Sequence, residues 1–394
     1  MSRTRVGTTR VARVPWLGVL LVGVLALAGC ASGSPAADPS SPPLPSVTDP
    51  AEVAAAVDAA RQPLTWQLSA PAISVGAAQR GKSVAVITKD INPFIQAVTD
   101  GIGTAAGKAG MATPRSNPAA SASDVSRQLS QAVAQRAAAI ITVGFTTAEI
   151  AAPLGQASAA GIPVVQLFVT DPGPPPAEAA GAGVFGYVSP CYTCIGAAMA
   201  SVVIHDSGGH ASVVFVNAPD VGIAALEARG FTAELGKTCP GCTVKVADAP
   251  IAQWGTQIPA IAAAAAADRG VNYVVPVFDT ATPLVLPALA AAGADQRIKL
   301  VSSNGDQAPL RDMRAGAAPR WVGNIGVNGE WIGWASMDQV FRALTGQPAL
   351  PDEKIGFRTF TPANVGGLGL DGNPSSWYGD TDFAGQYLKL WGLS

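Results

Sequence analysis

Short apolar runs alternate with apolar stripes of helical period along most of the chain. Ser83-Val84-Ala85-Val86-Ile87 reads as a buried strand. Asn92-Pro93 then offers an N-cap and a first-turn proline to a helix whose Phe94, Val98 and Ile102 recur every four residues. Asp124 is placed to cap a second helix with Val125, Leu129 and Val133 on one face. Ile140, Ile141 and Val143 form the next strand, Ile150, Leu154 and Ala157 the next helical stripe, and Gly161 ends it before Val164-Val165. That rhythm predicts right-handed β-α-β crossovers and a parallel sheet covered on both faces. After a Pro-rich stretch, Pro172 to Pro176, and a strand at Val184 to Val188, a second series of the same kind begins. Its strands are Val213 to Val216, Val244 to Val246, Tyr273 to Val277 and Lys299 to Ser302, separated by helices at Ile223 to Leu235, Gln257 to Asp268 and Pro283 to Ala292. The two α/β halves share an architecture but no sequence repeat. Phe383, Tyr387 and Trp391, at helical spacing, read as the packing face of a terminal helix.

The first residues stand apart from this pattern. Arg3, Arg5, Arg10 and Arg13 precede an apolar stretch from Trp16 to Ala28, 13 residues long, short of the roughly 20 that span a bilayer and in the charge order of an export signal. Leu27-Ala28-Gly29-Cys30 resembles the lipobox of bacterial lipoproteins, which implies a signal peptide over 1–29, cleavage before Cys30, and acylation of its sulfur. Such a chain is anchored by lipid to the outer face of the cell membrane. Ala31 to Pro50 is rich in Pro, Ser and Ala, a composition that makes an extended tether, at most about 60 Å long at roughly 3.1 Å per residue. A helix from Pro50 to Arg61 and an extension to about residue 80 lead into the main body. A chain of 394 residues exceeds what one hydrophobic core usually organises, so two lobes are expected. The net charge is −2 with the arginines of the signal included, leaving no basic field for nucleic acid.

Cys191, Cys194, Cys239 and Cys242 make an even set in an exported chain, for which disulfides are the default. Two CxxC units also fit a tetrahedral zinc site, and Cys239-Pro240-Gly241-Cys242 has the outline of a redox pair. That second pair follows a helix end and precedes a strand, where no helix N-terminus lowers a thiolate pKa. Cys191 and Cys194 sit where a helix begins, so a redox role stays open there. Of the three connectivities, the two local pairings are favoured. His205 and His210 are the only histidines and lack metal-ligand spacing with carboxylates. No nucleophile elbow, phosphate-binding loop or dinucleotide fingerprint occurs. The sequence therefore calls for no catalysis, metal or cofactor.

With these elements placed, the chain resembles the type I periplasmic binding proteins, the ribose- and galactose-receptor-like solute receptors of ABC importers. The resemblance runs over about residues 80–394. It is carried by Asp90-Ile91-Asn92-Pro93-Phe94 after the first strand, by Ala138 to Ile141 and Ala159 to Val165, by Glu227 to Phe231 in the second half, and by Gly329 to Ala335 with Asp338 to Gly346 near the hinge. It implies two Rossmann-like lobes joined by a multi-strand hinge: 81–188 with about 327–354, and 189–326 with about 355–394. In open parallel sheets ligands bind beyond the carboxyl ends of the strands, and two facing lobes close on them by hinge motion. The expected ligand residues are Asp90, Asn92, Phe94, Phe145 and Phe168 in the first lobe, Asn217, Asp220, Asp279, Asn304 and Asp306 in the second, and Asn328 and Trp331 at the hinge. Rings with neutral amides and isolated carboxylates suit a sugar or polyol. The family's Asp-Arg pair after the fourth strand is replaced by Phe168-Val169, an Arg of the second lobe by Ala225, and an Asn-Asp by Phe278-Asp279. A less hydroxylated or more apolar ligand therefore stays open. The resemblance implies a monomeric receptor for an importer's permease; a receptor feeding a membrane sensor kinase, or a CxxC thiol-disulfide protein, is the alternative.

Overall fold

The computed structural model describes residues 47–114, 118–119, 121–174 and 181–393; the expected signal peptide, Cys30 and the tether up to residue 46 lie outside them. One sheet is built from β1 (Val84–Thr88), β2 (Ala139–Val143), β3 (Val164–Leu167) and β4 (Val184–Val188), parallel and hydrogen-bonded in that order. The second contains β5 (Ser212–Asn217), β6 (Thr243–Asp248), β7 (Tyr273–Pro276), β8 (Lys299–Asn304), β9 (Trp321–Val327) and β10 (Phe357–Phe360). Its order is β10-β9-β8-β7-β5-β6, with β10 alone antiparallel.

The helices are α1 (Pro50–Ala60), α2 (Pro93–Lys108), α3 (Ala122–Ala134), α4 (Ala151–Ala159), α5 (Tyr192–Ser207), α6 (Gly222–Thr238), α7 (Trp254–Ala267), α8 (Thr282–Ala291), α9 (Gln307–Ala315), α10 (Gly329–Leu344) and α11 (Phe383–Trp391). Asn92 caps α2 as expected, its Oδ1 accepting from the Ile95 N–H at 3.0 Å. The cap of α3 is Ser121 and not Asp124. The Ser121 Oγ accepts the Asp124 N–H at 3.1 Å while Asp124 closes the turn from the third helical position, where a carboxylate also suits the helix dipole.

Two helix pairs lock the lobes internally. In the first lobe α2 packs on α10, and in the second α5 packs on α6. A Cβ at Gly101 would strike the backbone of Glu330, and one at Gly230 the backbone of Thr193, so glycine is what permits each approach. β9 and β10 are absent from the sequence-derived strands. β9 is buried along its whole length, but Gly323, Asn324 and Gly326 break its apolar run. A Cβ on Gly323 would lie 2.6 Å from Val202 Cγ1 of α5, so the residue that hides the strand is the one that seats it.

Within the segment of about 355–394 expected in the second lobe, β10 pairs with β9 of the second sheet, and α11 docks on α10, which packs on α2, β3 and β4. Trp334 stacks on Trp391 at 5.4 Å and Trp331 on Phe383 at 5.8 Å. A buried polar network reinforces the joint: Arg342 Nε donates to Asp338, Trp391 Nε1 donates to Asp338 Oδ1 at 2.7 Å, and Tyr387 Oη donates to Glu353 Oε2 at 2.9 Å. The segment before β1 crosses from one lobe to the other. Thr48 N–H donates to the Thr238 carbonyl, and α1 packs on α5. Trp66 then lies between Trp331 and Tyr387, at 5.8 and 5.0 Å, and Ile73 and Val75 donate to the carbonyls of Leu390 and Trp391.

Candidate functional site

The carboxyl ends of β1, β2 and β3 face those of β6, β7 and β8 across a cavity of about 460 Å³. A run of rings crosses it from the first lobe to Tyr192 at the start of α5 in the second. Phe94, in the first turn of α2, lies 5.8 Å from Phe168, and Phe168 meets Tyr192 edge-on at 6.1 Å. Trp254 and Phe278 line it from the second lobe. The Trp254 indole is fixed in place because its Nε1 donates to the Ala249 carbonyl at 2.8 Å.

Backbone strain marks two of the lining residues. Phe168 has φ 65° and Asn304 φ 117°, conformations that cost L-residues free energy and collect at binding sites. Phe168 is held there by its N–H, which donates to the Val188 carbonyl and the Ser189 Oγ, each at 3.2 Å. Strain here turns a bulky ring into the cleft end of β3.

Polar groups are sparse. Burial raises the Asp90 carboxyl above its ordinary pKa, against the Asn92 Nδ2, which donates to it at 3.1 Å. The Lys89 ammonium is engaged by Glu149 at 2.8 Å. Asp220 accepts the Ile251 N–H at 3.1 Å, tying the loop after β5 to the loop after β6. Tyr192 is 2% exposed and its hydroxyl has no partner. Burial, with Glu227 and Asp171 nearby, pushes that phenol well above its ordinary range, so it stands as a protonated donor.

Of the expected ligand residues, Asp90, Asn92, Phe94, Phe168, Asp220 and Asn304 line this cavity. Asp306 and Asn328 line an adjoining one. The other four face elsewhere. Phe145 is buried in the first-lobe core beneath Lys89. Asn217 donates to Asp248 Oδ1 at 2.8 Å at the β5–β6 edge. Asp279 lies buried among protein donors: Ser302 Oγ, Asn324 Nδ2 at 2.7 Å and the Asp306 N–H at 2.8 Å. Its carboxylate thus has a structural task, joining the ends of β7, β8 and β9. Trp331 is fully buried between Trp66 and Phe383. Sequence reasoning missed Tyr192 and Trp254. The loop after Val244 to Val246 holds Trp254 by the same carboxyl-end rule, whereas Tyr192 stands between Cys191 and Cys194 with no separate signal in the sequence.

The sulfurs of Cys191 and Cys194 are 1.98 Å apart across the first turn of α5, and those of Cys239 and Cys242 are 2.01 Å apart after α6. Among the described residues no group of three or more His, Cys, Asp or Glu is arranged to hold a metal ion.

Residues 83–348 match the model of a periplasmic binding protein domain. No curated protein matches the chain by sequence. Among solved structures, an ABC transporter solute-binding protein from Agrobacterium vitis bound to α-D-tagatopyranose is 20% identical, with a TM-score of 0.64 over 74% of this chain and 98% of that one. One from Actinobacillus succinogenes with bound D-allose is 14% identical, TM-score 0.64, over 73% of this chain and all (100%) of that one. One from Mycobacterium smegmatis with bound glycerol is 15% identical, TM-score 0.63, over 73% and 96%. At these identities the likeness is one of fold.

Proposed function

The chain belongs to the periplasmic binding protein family, and on that premise we propose that it captures a small neutral hydrophilic solute, a sugar or polyol, between its lobes and presents it to the permease of an ABC importer. The carrying observation is the ring-lined cleft with the buried, unpartnered Tyr192 hydroxyl. Rings pack on the CH face of a sugar, and a buried donor without a protein acceptor is costly unless a ligand supplies one. Lys89, the one cation among the described lining residues, is already paired with Glu149. A carboxylate ligand thus finds no free counter-charge, which favours a neutral solute over an amino acid. The sugars and polyol in the related structures point the same way.

A thermal-shift screen over sugars, polyols, amino acids and nucleosides tests this. Ligand at 100 times its dissociation constant adds about 2.7 kcal/mol of stability. Shifts confined to charged amino acids or peptides would end the sugar reading. In this proposal the protein acts as a monomer, lipid-anchored through Cys30 on the outer face of the membrane. Cys30→Ala should accordingly move it from the membrane to the soluble fraction with its melting temperature unchanged.

A further inference from the structure

A second cavity, of about 440 Å³, adjoins the first, and Phe94 and Asn304 line both. Its walls come from α2, the turn after β8, the start of α10 and the turn at Pro374–Tyr378. Phe94, Trp377 and Tyr378 give it rings of its own, but its polar groups differ from those of the first cleft. Three carboxylates line it, Asp100, Asp306 and Glu330, with no Lys or Arg among its described lining residues. Asn328, 3% exposed, lines it too, and its Nδ2 has no partner. The orientation of that amide is fixed from the other side, since Oδ1 caps α10 by accepting the Trp331 N–H at 3.2 Å, while Ser375 Oγ gives its single proton to Glu330 Oε2 at 2.6 Å. Nitrogen is what remains for the cavity.

Asp100 accepts from Gln96 Nε2 at 2.7 Å and Glu330 from Ser375 Oγ at 2.6 Å, so the carboxylates keep further lone pairs for an occupant that donates to them and also offers a lone pair to the amide. An ammonium serves only the carboxylates. An anion serves only the amide and is repelled by the rest. A hydroxyl does both. We propose that this cavity is a second hydroxyl-binding subsite, and that the solute is a two-unit glycoside, a disaccharide or a sugar-linked polyol, with one unit on the rings of the cleft and the other here. The inference rests on the solute-binding reading above and narrows its ligand class. Each cavity alone falls within the roughly 300–1,000 Å³ of a complete small-molecule site, so one ring leaves the other cavity without its partner.

Titration calorimetry on the mature protein, with glucose, galactose, sorbitol, maltose, lactose, melibiose, trehalose, sucrose and maltitol as probes, tests it. At least one two-unit probe should bind ten-fold or more tightly than either of its components. Asn328→Asp keeps the helix cap but replaces the donor, and should weaken that binding about 5- to 150-fold while circular dichroism reports an unchanged fold. Single units binding as tightly as every two-unit probe would overturn the second subsite and leave the sugar receptor standing. So would undiminished two-unit binding by a folded Asn328→Asp. If no probe of either size binds, the sugar reading itself falls.

Discussion

Tyr192 separates binding from stability more cleanly than any other side chain in the cleft. Its hydroxyl is buried without a protein partner, so Tyr192→Phe removes a desolvation cost and takes no hydrogen bond from the fold. Melting temperature should stay or rise, while affinity for the solute falls about 5- to 150-fold; a fall in both would mean the hydroxyl serves the fold. Asp306 makes a prediction in pH. Burial raises its carboxyl from 3.8 to about 6. An acid whose folded pKa exceeds its unfolded one holds its proton more tightly when folded, so its contribution is complete below the unfolded value and is lost as pH rises through the folded one. Stability should decline between pH 4 and 6, by at most about 3 kcal/mol from this group. Asp279, Glu227 and Glu353, all raised by burial, push in the same direction. Melting curves of the wild type and Asp306→Asn across that range check it: the variant should show the shallower slope.

At the scale of elements, α10 has a buried polar stripe where its neighbours have apolar ones. Arg342 and Asp338 are 1% and 0% exposed, and their pairing holds α10 to α11 through Trp391. Breaking a buried pair on one side leaves an uncompensated charge, so Arg342→Met should cost about 3–5 kcal/mol in chemical denaturation. Arg342→Met with Asp338→Leu should recover part of that loss. Elements with strong periodicity, such as β1, α2, β2 and α6, were legible in the sequence. β9 was not, because the glycines that let α5 and Phe360 close upon it look like breaks in a strand. Nor was β10, four residues long. The carboxyl-end rule located the loops of the cleft but not the direction of each side chain within them. Asp279 and Trp331 stand at the right heights in the chain and point into the protein. The strain at Phe168 and the orphaned hydroxyl of Tyr192 are tertiary facts with no local signature.

At the scale of the molecule, both cysteine pairs are local and lie on the second lobe. A link across three residues closes so short a loop that it stiffens a helix end and leaves the lobes free to move. Non-reducing mass spectrometry should find no free thiol at Cys191, Cys194, Cys239 or Cys242, and reduction should not alter solute affinity. The segment from Thr48 to Val75 has a larger reach. It enters beside Thr238 on the second lobe and passes Leu64, whose N–H donates to the Tyr378 carbonyl at 2.7 Å. It ends paired with α11 on the first lobe. For a clamp that works by opening and shutting, such a crossing acts as a leash, setting how far the jaws part. It also means that the family match, which begins at residue 83, starts downstream of where the folding unit starts. A chain cut to begin at Gly81 keeps β1 to β10 and loses Trp66 from its place between Trp331 and Tyr387. It should melt several degrees below a chain that begins at Val47, and small-angle scattering should find its unliganded form wider.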